Sequence, residues 1–183
     1  MGLAPDRGRE RGSVAWRAVE SLEVEPLFVD PYATALAGQR AFEMALGQAK
    51  PFELPEGESQ SVPHSRRKFR VSNVGARVWW FDDRLRLALK DRGAPRQVVV
   101  LGSGMDTRPW RMSLPPGVSW FELDREDVLE AKHATLGALG AQFESDEGGP
   151  AAAAMPLHAS RWTALAADLG APGWTADLAA PGG

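Results

Sequence analysis

The residues best placed to handle a ligand stand together at Leu101-Gly102-Ser103-Gly104-Met105-Asp106-Thr107-Arg108. Two glycines in a turn directly after an apolar run let the backbone approach a bound molecule where a Cβ would collide. About 20 residues further on, in Glu122-Leu123-Asp124, stands an acid; at this spacing such a carboxylate accepts hydrogen bonds from the two hydroxyls of a ribose. Glycine turn and acid together read as a nucleoside-binding signature. The bland reading beside it is a tight strand-to-helix turn followed by a surface acid.

The details of the turn narrow the nucleoside. A dinucleotide site calls for Gly-x-Gly-x-x-Gly, with the third glycine opening a helix onto the pyrophosphate. Here that position is Thr107, and the turn carries Asp106, which would repel a pyrophosphate. A cofactor without phosphate and with a cationic amino-acid tail would instead favour a carboxylate. S-adenosyl-L-methionine has that composition: adenosine, a sulfonium, an ammonium and a carboxylate. Its carboxylate needs a cation, and Arg77, on the preceding helical segment, is a candidate. Asp106 can also cap the turn that leads into Pro109.

These residues need elements to hold them. Gln97 to Leu101 (QVVVL) is a short continuous apolar run between turn residues, the pattern of a strand covered on both faces in a parallel sheet. Further strands are expected at 118–123 and 162–167, the last ending at Asp168, with a helix over 125–139 between them. Strand, crossover, strand, helix, strand is the grammar of a Rossmann-like sheet. Ahead of it the chain is helical in pattern. Ser13 can cap a helix to Leu22, Asp30-Pro31 reads as an N-cap followed by proline at the first helical position, and a short helix fits 41–46. Residues 51–63 form a proline-rich loop. A long helix is expected over 65–92, with Val74, Val78, Phe81, Leu85 and Leu89 on one stripe.

Composition excludes several alternatives. The chain has 183 residues, 44% of them hydrophobic and 25% charged, values of an ordinary globular domain. With no cysteine, disulfides, thiolate metal sites and cysteine nucleophiles are absent. His64, His133 and His158 show no ligand spacing, so no metal is expected. Ser103 does not lie in a Gly-x-Ser-x-Gly elbow, which argues against a hydrolase. A net charge of −3 gives no general pull toward nucleic acid, and the basic cluster at 65–70 reads as a solvated helix start. No apolar run is long enough to span a membrane, and the first residues lack a signal core, leaving the cytoplasm as the default location. The tryptophans at 79, 80, 110, 120, 162 and 174 are expected to pack.

Over about residues 13–178 the sequence resembles the leucine carboxyl methyltransferase family, in particular its bacterial-type branch of S-adenosyl-L-methionine-dependent methyltransferases. The resemblance is carried by Arg17-Ala18-Val19-Glu20-Ser21, Leu27 to Ala33, Ala76-Arg77 with Phe81-Asp82-Asp83, Gln97 to Arg111, Phe121 to Asp124, Lys132 with Leu136, and Ala166 to Leu169 with Trp174. It implies an α/β fold, a Rossmann-like class I methyltransferase sheet with its first three strands present, preceded by a helical N-terminal region. The corresponding division is 1–95 for the helical region and 96–183 for the cofactor-binding half.

By position, the resemblance implies that Arg77 holds the methionine carboxylate and that Gly102 and Gly104 line the amino-acid tail. Asp124 takes the ribose hydroxyls, Asp168 and Leu169 bracket the adenine, and Arg17 falls near a basic cofactor contact. The implied reaction is methyl transfer to an oxygen, a carboxylate or hydroxyl of a small molecule or of a protein terminus. No general base stands out, and no catalytic residue is assigned. Family members continue past the Asp-Leu segment with Gly-Phe-Asp, Pro-Thr and Trp-x-x-Glu-Gly segments. The resemblance therefore implies a C-terminally truncated chain whose 97–101 strand lacks a neighbour. Two alternatives stay open: a catalytically inactive cofactor-binding remnant, and an NAD(P)-binding oxidoreductase.

Overall fold

A computed structural model describes residues 7–51, 69, 71–91, 93–94, 96–144 and 154–175. The chain divides into two compact units, Met1–Asp83 and Arg84–Gly183, a division that falls inside a helix and ahead of the 95–96 boundary expected from the change of sequence period.

The first unit is helical. Helix α1 (Arg7–Glu20) begins before Ser13 and buries Val14, Ala15, Ala18 and Val19. These small residues allow close approach of α2 (Ala33–Ala37) and α3 (Gln39–Gln48), whose Ala33, Leu36, Ala37 and Ala45 are buried with them. Leu22 lies beyond the end of α1 and is exposed. Helix α2 starts two residues later than the expected Asp30-Pro31 cap: Tyr32 is its N-cap residue, with no side-chain cap bond, and the Asp30 Oδ1 accepts the Tyr32 N–H at 3.2 Å in the turn ahead of it. Gly38, at φ +78°, separates α2 from α3. Three buried acids here are satisfied by backbone donors or by a cation: Glu20 accepts from Leu27 N–H, Glu23 from Phe69 N–H, and Asp30 pairs with Arg17.

Helix α4 (Asn73–Ala88) is shorter than the expected 65–92. Ser72 sets its start, because the Ser72 Oγ accepts the Gly75 N–H at 2.9 Å, an N-cap bond. Phe69 instead bridges Pro51 in antiparallel fashion; otherwise the 51–63 loop and the 65–70 basic cluster lie outside the described residues. The buried positions of α4 are Gly75, Val78 and Asp82, while Trp79, Trp80 and Phe81 are about half exposed. The expectation that Phe81, Trp79 and Trp80 pack is thus corrected: the inward stripe runs through Asp82.

The second unit holds a parallel sheet in the order β1-β2-β3, with β1 Gln97–Leu101, β2 Ser119–Asp124 and β3 Arg161–Ala166. Register aligns Leu101 with Leu123, and Leu123 with Leu165. Helix α5 (Arg108–Arg111) follows the glycine turn and α6 (Glu126–Ala138) follows β2. The central strand is the core, with Trp120, Phe121, Glu122 and Leu123 all buried, and α6 presents Val128, Leu129, Lys132 and Leu136 inward. Trp110, Phe143 and Trp162 pack ring against ring at 5.4–5.9 Å, with the Trp110 indole N–H donating to the Gln142 carbonyl. Among the described residues β1 pairs on one side only, as the resemblance implied. The cover on both faces read from its apolar run is not met, because Val99 and Leu101, on one face, are 42% and 51% exposed. Also among the described residues, no helix is long and apolar enough to cross a membrane.

Candidate functional site

In a parallel sheet every strand delivers its following loop to the same edge, the carboxyl edge. Strand β1 runs there into Gly102 at φ +67° and Gly104 at φ +50°, values natural to glycine and strained for a residue with a Cβ. The Gly102 N–H donates to the Leu123 carbonyl at 2.8 Å, carrying the ladder one step past the strand. A Cβ at either glycine would meet nothing within 4 Å, so space is open on that side of the turn.

Asp124 ends β2 beside this turn. Its Oδ2 accepts the Gly104 N–H at 2.7 Å and its Oδ1 accepts the Arg125 N–H at 2.8 Å. One carboxylate thereby ties the β1 turn to the start of α6. Each oxygen keeps further acceptor capacity, and the residue is only partly buried. The Asp124 carbonyl accepts the Ala167 N–H at 2.8 Å, joining the end of β3 to the same edge. Asp168 follows, exposed, its Oδ1 accepting the Gly170 N–H, and Leu169 is 36% exposed beside it. The parallel register thus places Gly102, Gly104, Asp124, Asp168 and Leu169 on consecutive loops of one edge.

Behind the turn lies a buried charge cluster. Asp106 is 5% exposed; its Oδ1 accepts the Arg108 N–H at 2.9 Å and its Oδ2 accepts from the Arg108 guanidinium at 2.8 Å. Burial disfavours its charge, yet Arg108, Lys132, Arg111 and the Arg108 N–H together hold its pKa down to about 2. Of the two roles expected for Asp106, the structure shows the cap. The carboxylate is buried against Arg108. Thr107, in the place of a third glycine, is fully buried. Pro109 follows near the start of α5, so that helix offers few free amides to a phosphate.

Glu122 and Lys132, both fully buried, form the rest of the cluster, the ammonium donating to Oε2. Burial pushes the Glu122 carboxyl up, the nearby Asp106 charge adds to this, and Lys132 opposes both. The Lys132 ammonium also lies 5.7 Å from the centroid of the Trp110 ring, within cation–π range. The resemblance touched Glu122 and Lys132 without giving them a role. The available signal was the spacing of Lys132 with Val128, Leu129 and Leu136 on one helix face, which marks the lysine as inward.

The two arginines of the expected site belong to the helical unit. Arg77 is exposed on α4. Arg17 is 9% exposed on α1, with its Nε 3.2 Å from the Asp30 carboxylate.

The leucine carboxyl methyltransferase family model matches residues 11–182. A Mycobacterium marinum protein named "Putative S-adenosyl-L-methionine-dependent methyltransferase" is 37% identical over 147 residues, covering 75% of this chain and 45% of that protein. A Mycobacterium bovis protein of the same name is 37% identical over 126 residues, 69% of this chain and 40% of its own length. One from Mycobacterium ulcerans is 38% identical over 134 residues, 72% and 41% respectively. The chain spans less than half the length of these curated relatives. With a model match across nearly its whole length, the chain belongs to the leucine carboxyl methyltransferase family.

Proposed function

We propose that this chain is the cofactor-binding part of an S-adenosyl-L-methionine-dependent methyltransferase. The carrying observation is the carboxyl edge itself: a turn with two left-handed glycines and open space beside it, clamped to an acid that keeps acceptor capacity. The fit extends to what the edge lacks. Thr107 and Pro109 leave no phosphate cradle, which favours a nucleoside without a pyrophosphate.

In this reading Asp124 accepts the ribose hydroxyls, and the Gly102–Gly104 backbone lies along the amino-acid tail. Asp168 and Leu169 flank the adenine from the end of β3. Arg77 pairs with the methionine carboxylate, a role supported by its exposure on α4 and by the family resemblance. Arg17 enters through the resemblance alone. When bound, S-adenosyl-L-methionine supplies an electrophilic methyl group on a sulfonium sulfur. The contribution of the chain is to fix the direction in which that methyl points, and alignment of this kind is a large part of rate enhancement in displacement reactions. The acceptor is an oxygen, a carboxylate or hydroxyl of a small molecule or protein terminus, and the protein is cytoplasmic. Calorimetric titration with S-adenosyl-L-methionine tests the reading. Saturable one-to-one binding is expected; well-folded protein that takes up none overturns it.

A further inference from the structure

The amides of the glycine turn are spent inside the protein. Gly102 and Ser103 both donate their N–H groups to the Leu123 carbonyl, at 2.8 and 3.3 Å, and Gly104 donates to the Asp124 Oδ2 at 2.7 Å. A ligand lying along these three residues therefore meets no free backbone donor. The Ser103 side chain stands apart. The residue is 7% exposed, and its Oγ is buried with no hydrogen-bond partner among the described residues. Burying an unpaired hydroxyl costs free energy that alanine would avoid. Nor does the backbone demand serine, because among the described residues only glycines have a positive φ. Room for an outside partner lies on both sides. A Cβ at Gly102 or Gly104 would meet nothing within 4 Å, and one bond rotation carries a serine hydroxyl between staggered positions.

We propose that the Ser103 hydroxyl is a ligand-binding group, which donates a hydrogen bond to the carboxylate at the amino-acid end of S-adenosyl-L-methionine. Acceptors are plentiful at this edge, since Asp124 keeps acceptor capacity and each backbone carbonyl has two lone pairs. An ammonium therefore has no need of the serine. Donors are what the turn has spent, and the hydroxyl supplies one. The identity of the ligand rests on the cofactor reading above.

Ser103→Ala removes one oxygen and tests the contact in two ways. In scanning calorimetry of the unliganded chain its Tm is expected to stay or to rise, because an unpaired buried group is lost. A clearly lower Tm would reveal a partner inside the protein and overturn the proposal. Calorimetric titration then compares three ligands. S-adenosyl-L-methionine has the carboxylate; decarboxylated S-adenosylmethionine keeps the ammonium without it, and 5′-methylthioadenosine lacks the whole amino-acid tail. In the variant, Kd for S-adenosyl-L-methionine is expected to rise about 10- to 100-fold, the loss of a hydrogen bond to a charged group, while Kd for the other two changes by less than about twofold. A rise by the same factor for all three ligands, or for none, overturns the proposal and leaves the cofactor reading standing. An original chain that is well folded and binds none of the three overturns the cofactor reading itself, and the Ser103 contact with it.

Discussion

Replacing Asp124 by alanine separates the clamp it forms from the ligand contact proposed for it. The carboxylate accepts two backbone N–H groups, from Gly104 at 2.7 Å and Arg125 at 2.8 Å. Both donors lie near the surface and regain water in the variant, so the loss of stability should be about 1–2 kcal/mol. For a unit of roughly 100 residues this lowers Tm by about 4–8 °C per kcal/mol. The proposed ligand contact is worth more. Two ribose hydroxyls donating to a carboxylate contribute about 3 kcal/mol together, so Kd for S-adenosyl-L-methionine should rise on the order of 100-fold. Calorimetric titration well below the lower Tm reads the affinity, and scanning calorimetry reads the stability. Asp124→Asn keeps one acceptor oxygen and turns a donor toward the other partner, so it should fall between the two. An alanine variant whose Tm drops while its Kd stays within about twofold of the original would refute the reasoning, leaving Asp124 as a clamp for the turn and nothing more.

Gly102→Ala should cost about 1 kcal/mol from backbone strain alone, because its φ is +67° and no atom lies near the added methyl. Affinity for S-adenosyl-L-methionine should fall well beyond that, and unchanged binding would show that no ligand approaches there. Asp106 has a carboxyl held down from 3.8 to about 2, so its contribution of about 2 kcal/mol is present above pH ~4 and lost as pH falls toward 2. Denaturant unfolding between pH 5 and 2.5 should show this acid limb, flattened in Asp106→Asn; Glu122, whose carboxyl is raised, works in the opposite sense. Leu136→Ala, at a fully buried site on α6, should cost about 2–5 kcal/mol in the same assay. NAD in excess should not displace S-adenosyl-L-methionine, and effective competition would point back to an oxidoreductase.

Much of the edge was legible because its signals are local. The QVVVL run, the glycines after it and Asp124 announce a strand, a turn and the next strand end, and the structure places them so. Asp106 shows where local reading stops. Its type and place allowed a cap, a ligand-facing acid or both, and no local pattern shows that the carboxylate lies buried against Arg108. The expected helical stripe misses at one position for a related reason: Val78 and Leu89 are buried as expected, but Phe81 is not. Apolar spacing chose Phe81, whereas Asp82 is buried and Phe81 exposed; periodicity cannot show that a polar side chain has found partners inside. Strand β1 reads as doubly covered by composition, yet cover depends on neighbours that no five-residue pattern contains.

The sequential order β1-β2-β3 also sets how the edge can assemble in time. Pairing Gln97 with Ser119 closes a loop about half as long as pairing Ser119 with Arg161, and halving a loop lowers its closure cost by about 0.6 kcal/mol. The glycine turn and Asp124 can therefore meet early, on a two-stranded nucleus of β1 and β2. The Asp168–Leu169 end joins only after the longer segment returns. Folding intermediates of this unit should accordingly acquire the turn before the third strand, with Asp124 in place ahead of Asp168 and Leu169.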